Sequence, residues 1–289
     1  ECEVIAQGLS QQGPNFVKKL NGMFFIVAIK DNEVMIFRDR YGIKPVYYFK
    51  SKTGFVVASE IKALLKHPDY SFAINENARQ QWMVFNNILT DETLFSEIHK
   101  LDKGSYWNLN TDQVTKYWKW EFAPEKMDYN EACANVRYLV KKAVERQTPK
   151  DLPFGTCLSG GLDSNIINAL SGDIYTFTAG FKEGKDERAL AELTGKKHYQ
   201  VVYDRVRDLD KTIYHLEDLR VGASWANYGL YELASKYVKV CFDGAGSDEL
   251  FGGYNWRYSA ENYYSIVNRT DIKSKYCEDL FNHIHRDSL

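Results

Sequence analysis

At 289 residues the chain has room for two modest domains, each with its own core. A hydrophobic share of 44% beside 26% charged residues excludes disordered and fibrous classes, and a net charge of -2 excludes a broad basic footprint for nucleic acid. Five scattered cysteines without a C-x-x-C pair exclude a disulfide framework or structural zinc and predict a reducing, cytoplasmic setting. The most apolar stretch, Met23 to Ile29, is strand-sized and too short to cross a membrane.

The elements follow in chain order. Met23 to Ile29 predicts a strand, Asp31-Asn32 a turn, and Val34 to Arg38 the partner strand. Val46 to Phe49 and Phe55 to Ala58 predict a second pair around Ser51 to Gly54. Ser59 is placed to cap a short helix from Glu60 to Lys66, closed by His67-Pro68. Further strands are predicted at Tyr106-Trp107 and at Tyr117 to Trp120. This half reads as antiparallel and β-rich.

The pattern changes near residue 122, where Phe122-Ala123-Pro124 reads as a linker. From Asp128 to Gln147, apolar residues at helical spacing predict an amphipathic helix that Pro149 ends. Strands then alternate with helices. Strands are predicted at Phe154 to Leu158, Tyr175 to Ala179, Tyr199 to Tyr203 and Val238 to Phe242. Helices are predicted at Ser164 to Leu170, Asp186 to Thr194, Arg207 to Leu219 and Tyr228 to Tyr237. Such alternation is the signature of a parallel α/β sheet.

Two loops carry the chemistry. Ser159-Gly160-Gly161-Leu162-Asp163-Ser164 lies between a strand and a helix start, where adjacent glycines, two hydroxyls and a helix N-terminus suit phosphate. No lysine follows, so this is not the common P-loop. The bland alternative is a tight turn with Asp163 as an N-cap. The second loop, Phe242 to Tyr254, places Asp243, Asp248 and Glu249 among glycines, also after a strand. Carboxylates so close together, beside phosphates, call for a cation; Mg²⁺ uses one or two carboxylates plus phosphate oxygens, and Asp163 with Asp248 supply that pair. By contrast His283-Ile284-His285 sets its rings on different helix faces and reads as no ligand pair, and Tyr117, Trp118 and Trp120 read as packing between domains.

S-G-G-L-D-S followed by G-x-G-S-D-E-L-F-G-G-Y resembles the synthetase domain of glutamine-dependent asparagine synthetases, within the N-type ATP pyrophosphatases. In the first half, Leu20 to Phe24, Arg38 to Pro45 and Ala58 to Leu64 resemble the rear part of that family's class II glutaminase domain. The resemblance implies an α/β protein: a partial Ntn-type antiparallel β glutaminase domain at 1–118, then a parallel-sheet ATP-pyrophosphatase domain at 119–289. It implies that ATP adenylates the aspartate side chain, releasing pyrophosphate, and that glutamine-derived ammonia displaces AMP. Leu158 and Ala179 would meet adenine through backbone, Ser159, Gly160, Gly161 and Ser164 would hold pyrophosphate, and Asp243-Gly244 would line the ribose. Asp163 and Asp248 would hold Mg²⁺. Glu1-Cys2-Glu3-Val4-Ile5 resembles an interior segment whose acid binds the glutamine α-amino group, so Glu1 is the expected glutamine contact and Cys2 is not the nucleophile.

These features lead to the expectation of an internal fragment, lacking the N-terminal cysteine nucleophile and a later catalytic lysine. Ala245 stands where the family commonly has an acid. That opens two alternatives: a β-lactam synthetase-like or peptide-modifying ligase with another acceptor, or a catalytically inactive ATP-binding chain. Expected partners are aspartate, glutamine and ATP, with no nucleic acid and no membrane; a homodimer is compatible with the sequence.

Overall fold

The structure, a computed structural model, describes residues 1–181, 191, 197–203, 209–217 and 224–253. It divides into two compact units. The first comprises Glu1–Glu125 with Ile213–Arg220, and the second Lys126–Thr212 with Val221–Leu289.

The first unit opens with helix α1 (Cys2–Gln12) and a 3-10 turn (Gly13–Lys19), then strands β1 (Phe25–Lys30) and β2 (Glu33–Arg38). Asp31 and Asn32 both adopt positive φ, 50° and 65°, so the two-residue turn carries the twist that a hairpin needs. Strands β3 (Tyr47–Ser51) and β4 (Gly54–Ala58) follow, then the short helix α2 (Ile61–Leu64) and helix α3 (Glu76–Phe85). Strands β5 (His99–Lys100), β6 (Ser105–Asn108) and β7 (Gln113–Lys116) complete the unit's sheets. One antiparallel sheet has the order β1-β2-β6-β7 and the other β4-β3-β5.

Alternation along the strands explains the layering, because successive side chains point to opposite faces. On β2, Ile36 joins Val46, Leu101 and Trp107 together with Tyr48, Phe55 and Val57, a core shared by the two sheets. The next residue, Phe37, joins Val17 and Tyr117 with Leu9 of α1. Phe49 of β3 turns to Ile61, Leu64 and Ile98, under α2. The order is therefore helix, sheet, sheet, helix.

The stretch Arg38 to Pro45 is held by its own charged side chains. Asp39 is fully buried, and its carboxylate accepts N–H groups from Tyr41 (3.1 Å), Ile43 (3.0 Å), Lys44 (2.9 Å) and Phe24 (3.4 Å). Arg38 donates to the carbonyls of Lys44 (3.1 Å), Gly42 (3.0 Å) and Leu101, and Arg40 donates to Lys18 (2.7 Å) and Leu20. Burial lowers the Arg38 pKa below the usual arginine value against the opposing fields of Tyr47 and Asp39.

Two expectations for this unit are corrected. Ser59 does not cap the short helix. Glu60 is the N-cap residue, and the N–H groups of Ile61 and Lys62 are accepted by the Glu217 carboxylate at 2.7 Å each, with Lys62 Nζ at 3.2 Å. The strand expected at Tyr117 to Trp120 lies instead at Gln113–Lys116, because the aromatic run packs as a cluster of rings with Tyr41 rather than pairing with β6.

In the second unit, Asp128 caps α4 (Tyr129–Gln147) by accepting from Asn130 N (2.9 Å) and Glu131 N (3.3 Å). The chain then runs β8 (Phe154–Cys157), α5 (Leu162–Ser171), β9 (Tyr175–Phe181) and β10 (Lys197–Tyr203). After these come α6 (Leu209–Leu216), α7 (Ser224–Ala234), β11 (Val240–Phe242) and α8 (Ser247–Phe251). The helix predicted over Asp186 to Thr194, together with Cys277, His283 and His285, falls outside the described residues. Among the described residues no helix is long and apolar enough to cross a membrane.

All neighbours in the sheet β10-β9-β8-β11 are parallel. One face buries Phe177 with Leu230, Ala234 and Val238, and Tyr199 packs against Tyr237 at 4.1 Å between centroids. Gly155 sits beneath these rings. A Cβ there would lie 2.7 Å from the Tyr175 carbonyl oxygen and 2.7 Å from the Phe177 ring. Backbone in a central strand cannot step aside, so Gly155→Ala is expected to destabilise the second unit by about 2–3 kcal/mol. Urea unfolding of the variant checks this, and a loss below about 0.5 kcal/mol would contradict the packing.

Candidate nucleotide site

The sheet order places the site. From β8 the chain steps outward to β9 and β10, then crosses to β11 on the other side of β8. The gap between the carboxyl ends of β8 and β11 is therefore the topological switch point, where open α/β sheets bind ligands. Both glycine loops emerge there: Leu158 to Ser164 follows β8, and Asp243 to Gly253 follows β11.

The first loop is built around two hydroxyls. Ser159 N donates to Ser164 Oγ at 3.3 Å, the two Oγ atoms lie 3.2 Å apart, and Gly161 N donates to Ser159 Oγ at 3.2 Å. Asn165 Nδ2 donates to the carbonyls of Gly160 (2.8 Å) and Gly161 (3.0 Å), so these oxygens turn toward the helix. Gly160 has φ 88°, a left-handed conformation that a side chain would strain. Gly161, rather than Asp163, is the N-cap of α5, and Asp163 lies in its first turn. The N–H groups of Leu162, Asp163 and Ser164 belong to that turn and lack intrahelical acceptors, as the first donors of any helix do. Below them Leu158 is buried; its N–H bonds Phe177 O at 2.8 Å and its carbonyl accepts the Thr178 hydroxyl.

In the second loop, Asp243 accepts from Ala245 N and from the Tyr231 hydroxyl, both at 2.9 Å. Burial first, then the negative groups around it, push the Tyr231 phenol well above its usual range, so it stays a donor to Asp243. Gly246 has φ 101° and ends the turn into α8, whose first turn carries Asp248 and Glu249. Gly252 closes the helix in the left-handed region at φ 73°, and Gly253 N bonds Asp248 O at 3.0 Å.

The two loops touch at Gly244. A Cβ on Gly244 would lie 3.0 Å from Asp163 Cβ and 3.5 Å from Ser164 N. Gly244→Ala is therefore expected to push the loops apart by a few tenths of an ångström. If both loops serve one ligand, its affinity should fall by about tenfold, while the melting temperature changes little. Unchanged affinity would show that the loops act separately.

The structure thus brings Ser159, Gly160, Gly161, Asp163, Ser164, Asp243 and Gly244 to one edge of the sheet, with Leu158 beneath them. Ala179 is half-buried on β9, paired with Val201 and packed against the Phe177 cluster. Glu1 lies in the first unit, exposed at the N-cap of α1 without a side-chain cap bond. Among the described residues no group of three or more His, Cys, Asp or Glu is gathered as a metal cage. Mg²⁺ on a nucleotide does not need one, since phosphate oxygens complete its shell. Asp163, half-buried in one loop, and Asp248, half-buried in the other, are carboxylates of the kind that set requires. Tyr231, Asn165 and Thr178 are supporting residues that no local motif marks.

The asparagine synthase family profile matches residues 135–283, and the glutamine amidotransferase domain profile matches residues 1–120. Glutamine-hydrolyzing asparagine synthetase 1 of Bacillus subtilis is 31% identical over 273 residues, covering 88% of this chain and 43% of the relative. Asparagine synthetase 3 of the same organism is 27% identical, with 90% and 48% covered. Asparagine synthetase 3 of Arabidopsis thaliana is 29% identical, with 95% and 48% covered. The chain spans about half the length of these curated relatives. With more than half of its residues matched by the family profile and both site loops inside or beside its parallel sheet, this chain belongs to the asparagine synthase family.

Proposed function

We propose that the second unit binds Mg-ATP between the loops Ser159–Ser164 and Asp243–Gly253 and adenylates a carboxylate, within a glutamine-dependent, amide-forming ligase. The observation that carries this reading is the contact of the two loops at Gly244 and Asp163, at the switch point between β8 and β11. In this reading residues 1–118 are the rear part of a class II glutaminase domain and 119–289 form the ATP-pyrophosphatase domain.

The chemistry follows from the groups present. A carboxylate oxygen attacks the α-phosphorus of ATP, the bond to the pyrophosphate oxygen breaks, and ammonia then displaces AMP from the acyl carbon. The difficult charge is on the departing pyrophosphate. The first-turn N–H groups of α5 and the hydroxyls of Ser159 and Ser164 would receive it. Asp163 and Asp248 would hold Mg²⁺, which when bound supplies positive charge across the phosphates. Leu158 and Ala179 are the proposed backbone contacts of adenine; the Leu158 N–H is held by Phe177 O, which leaves the second lone pair of the Leu158 carbonyl. Asp243 is fixed by Tyr231 and Ala245 N, which orients it and Gly244 along the ribose side. Glu1, at the exposed start of α1, is the proposed contact of the glutamine α-amino group.

Aspartate is the proposed acceptor. Ala245 brings no carboxylate or ammonium ligand to the loop, which favours testing other acceptors beside it. The test is ATP–pyrophosphate exchange with the 289-residue chain, Mg²⁺ and a panel of carboxylates. Exchange that requires both Mg²⁺ and aspartate supports the reading. Exchange with a different carboxylate alone overturns the acceptor. Mg-ATP binding without exchange or AMP release assigns an inactive nucleotide-binding chain, and absence of ATP binding overturns the site.

A further inference from the structure

Directly under the two loops lies a pair of thiols. Cys157 is the last residue of β8, and Cys241 is the middle residue of β11, its parallel neighbour. Their sulfur atoms stand 3.5 Å apart, and both residues are half-buried. The register explains the meeting. Cys241 pairs with Gly155, so Cys157 is one diagonal step along on the same face of the sheet, and Gly155 has no side chain to separate them. Cys2 and Cys133 are exposed elsewhere on the surface.

We propose that Cys157 and Cys241 form a two-thiol modification site that takes a hydroperoxide and closes to a cystine, joining β8 to β11 beneath the nucleotide loops. With hydrogen peroxide, the Cys157 sulfur attacks one oxygen and the O–O bond breaks. The departing hydroxide leaves as water with the proton of Cys157, which becomes a sulfenic acid. The Cys241 sulfur then attacks the Cys157 sulfur, the S–S bond forms, and the sulfenic oxygen leaves as a second water with the proton of Cys241. Two electrons pass from the two sulfurs to one peroxide, which is reduced to two waters.

The surroundings divide the two roles. The hydrogen bond from Cys241 lowers the Cys157 pKa below the ordinary thiol value, against its burial. The same bond, with burial, pushes the Cys241 thiol well above that value. The lowered thiol attacks first, because the thiolate is the nucleophile. Once Cys157 is an uncharged sulfenic acid, the Cys157 charge that holds the proton on Cys241 is gone, and Cys241 can release it to attack. Closure also has a mechanical consequence. Leu158 and Asp243 are one and two residues beyond the cysteines, so the crosslink fixes the starts of the two loops relative to each other.

The effect on nucleotide rests on the proposed ATP site; the thiol chemistry does not. The test uses the full chain with Cys2, Cys133 and Cys277 changed to Ser, treated with hydrogen peroxide. Expected results are loss of two hydrogens in intact mass and a linked peptide joining Cys157 to Cys241 after non-reducing digestion. Mg-ATP affinity should fall by about tenfold or more and return with dithiothreitol. Cys241→Ser should stop at a dimedone-reactive sulfenic acid on Cys157. Both thiols surviving peroxide, or Cys157 passing to sulfinic acid with Cys241 still present, would overturn the site. A cystine that leaves Mg-ATP affinity unchanged would overturn its coupling to the loops. If the reduced chain binds no Mg-ATP but the cystine forms, the ATP reading fails and the thiol site stands.

Discussion

Asp163→Asn is expected to weaken Mg-ATP binding by about 100-fold or more. The expectation has a sign that separates a metal ligand from an N-cap. With Mg²⁺ present, the carboxylate at the start of α5 anchors the cation that bridges protein and phosphates. Without Mg²⁺, the same carboxylate faces phosphate charge directly and repels it. The variant should therefore lose affinity for Mg-ATP while its weak affinity for metal-free ATP holds or rises. Stability should fall only slightly, because the lost interaction of Asp163 with the α5 dipole contributes about 0.3–1 kcal/mol. Calorimetric titration with and without a chelator measures both effects. Equal affinities of variant and parent for Mg-ATP would remove Asp163 from the metal, and an equal loss in both conditions would assign it a structural role.

The largest expected stability effect lies in the first unit. Asp39→Ala removes a fully buried carboxylate that accepts four backbone N–H groups, at 2.9 to 3.4 Å. Those part-buried donors converge on the one carboxylate and lose their acceptor together. Each unsatisfied buried group costs about 1–3 kcal/mol, though the costs are not additive. The variant should lose about 3–5 kcal/mol, enough to unfold much of the first unit near room temperature. Asp39→Asn keeps one acceptor oxygen, for Tyr41 and Ile43, but aims an amide donor at Lys44 N–H, and should fall between variant and parent. Near-ultraviolet circular dichroism and urea unfolding read the outcome. A loss below about 1 kcal/mol would show that the loop holds without Asp39.

These two residues also show what was legible in the sequence. Asp163 stands in a motif whose chemistry is local: glycines, hydroxyls and a helix start follow one another in the chain. The strands under both site loops could be read from short apolar runs ending in glycine. The Asp31-Asn32 hairpin was likewise predictable from its turn residues. Asp39 belongs to a stretch that the family resemblance marks, yet its work, holding four N–H groups, shows only once the loop is folded around it.

What could not be read depends on distance along the chain. The Ser59 cap reads well locally, but Glu217 supplies both acceptor oxygens from the far side of the sequence. The aromatic run Tyr117 to Trp120 has high strand propensity, yet polar Gln113–Lys116 forms the ladder. Helix α3 was not predicted; its exposed Met83, Val84 and Phe85 adjoin one another and mark no buried stripe. The pairs Tyr231–Asp243 and Cys157–Cys241 join β11 and the residue after it to residues 84 and 12 positions away. No spacing rule reaches that far.

The claim that the two loops form one Mg-ATP site is tested most directly by amide hydrogen exchange, followed by mass spectrometry with and without Mg-ATP. The account predicts slower exchange in peptides covering residues 159–164 and residues 243–253 together, lost when Mg²⁺ is chelated. Protection in neither loop, or in only one of them, would contradict it.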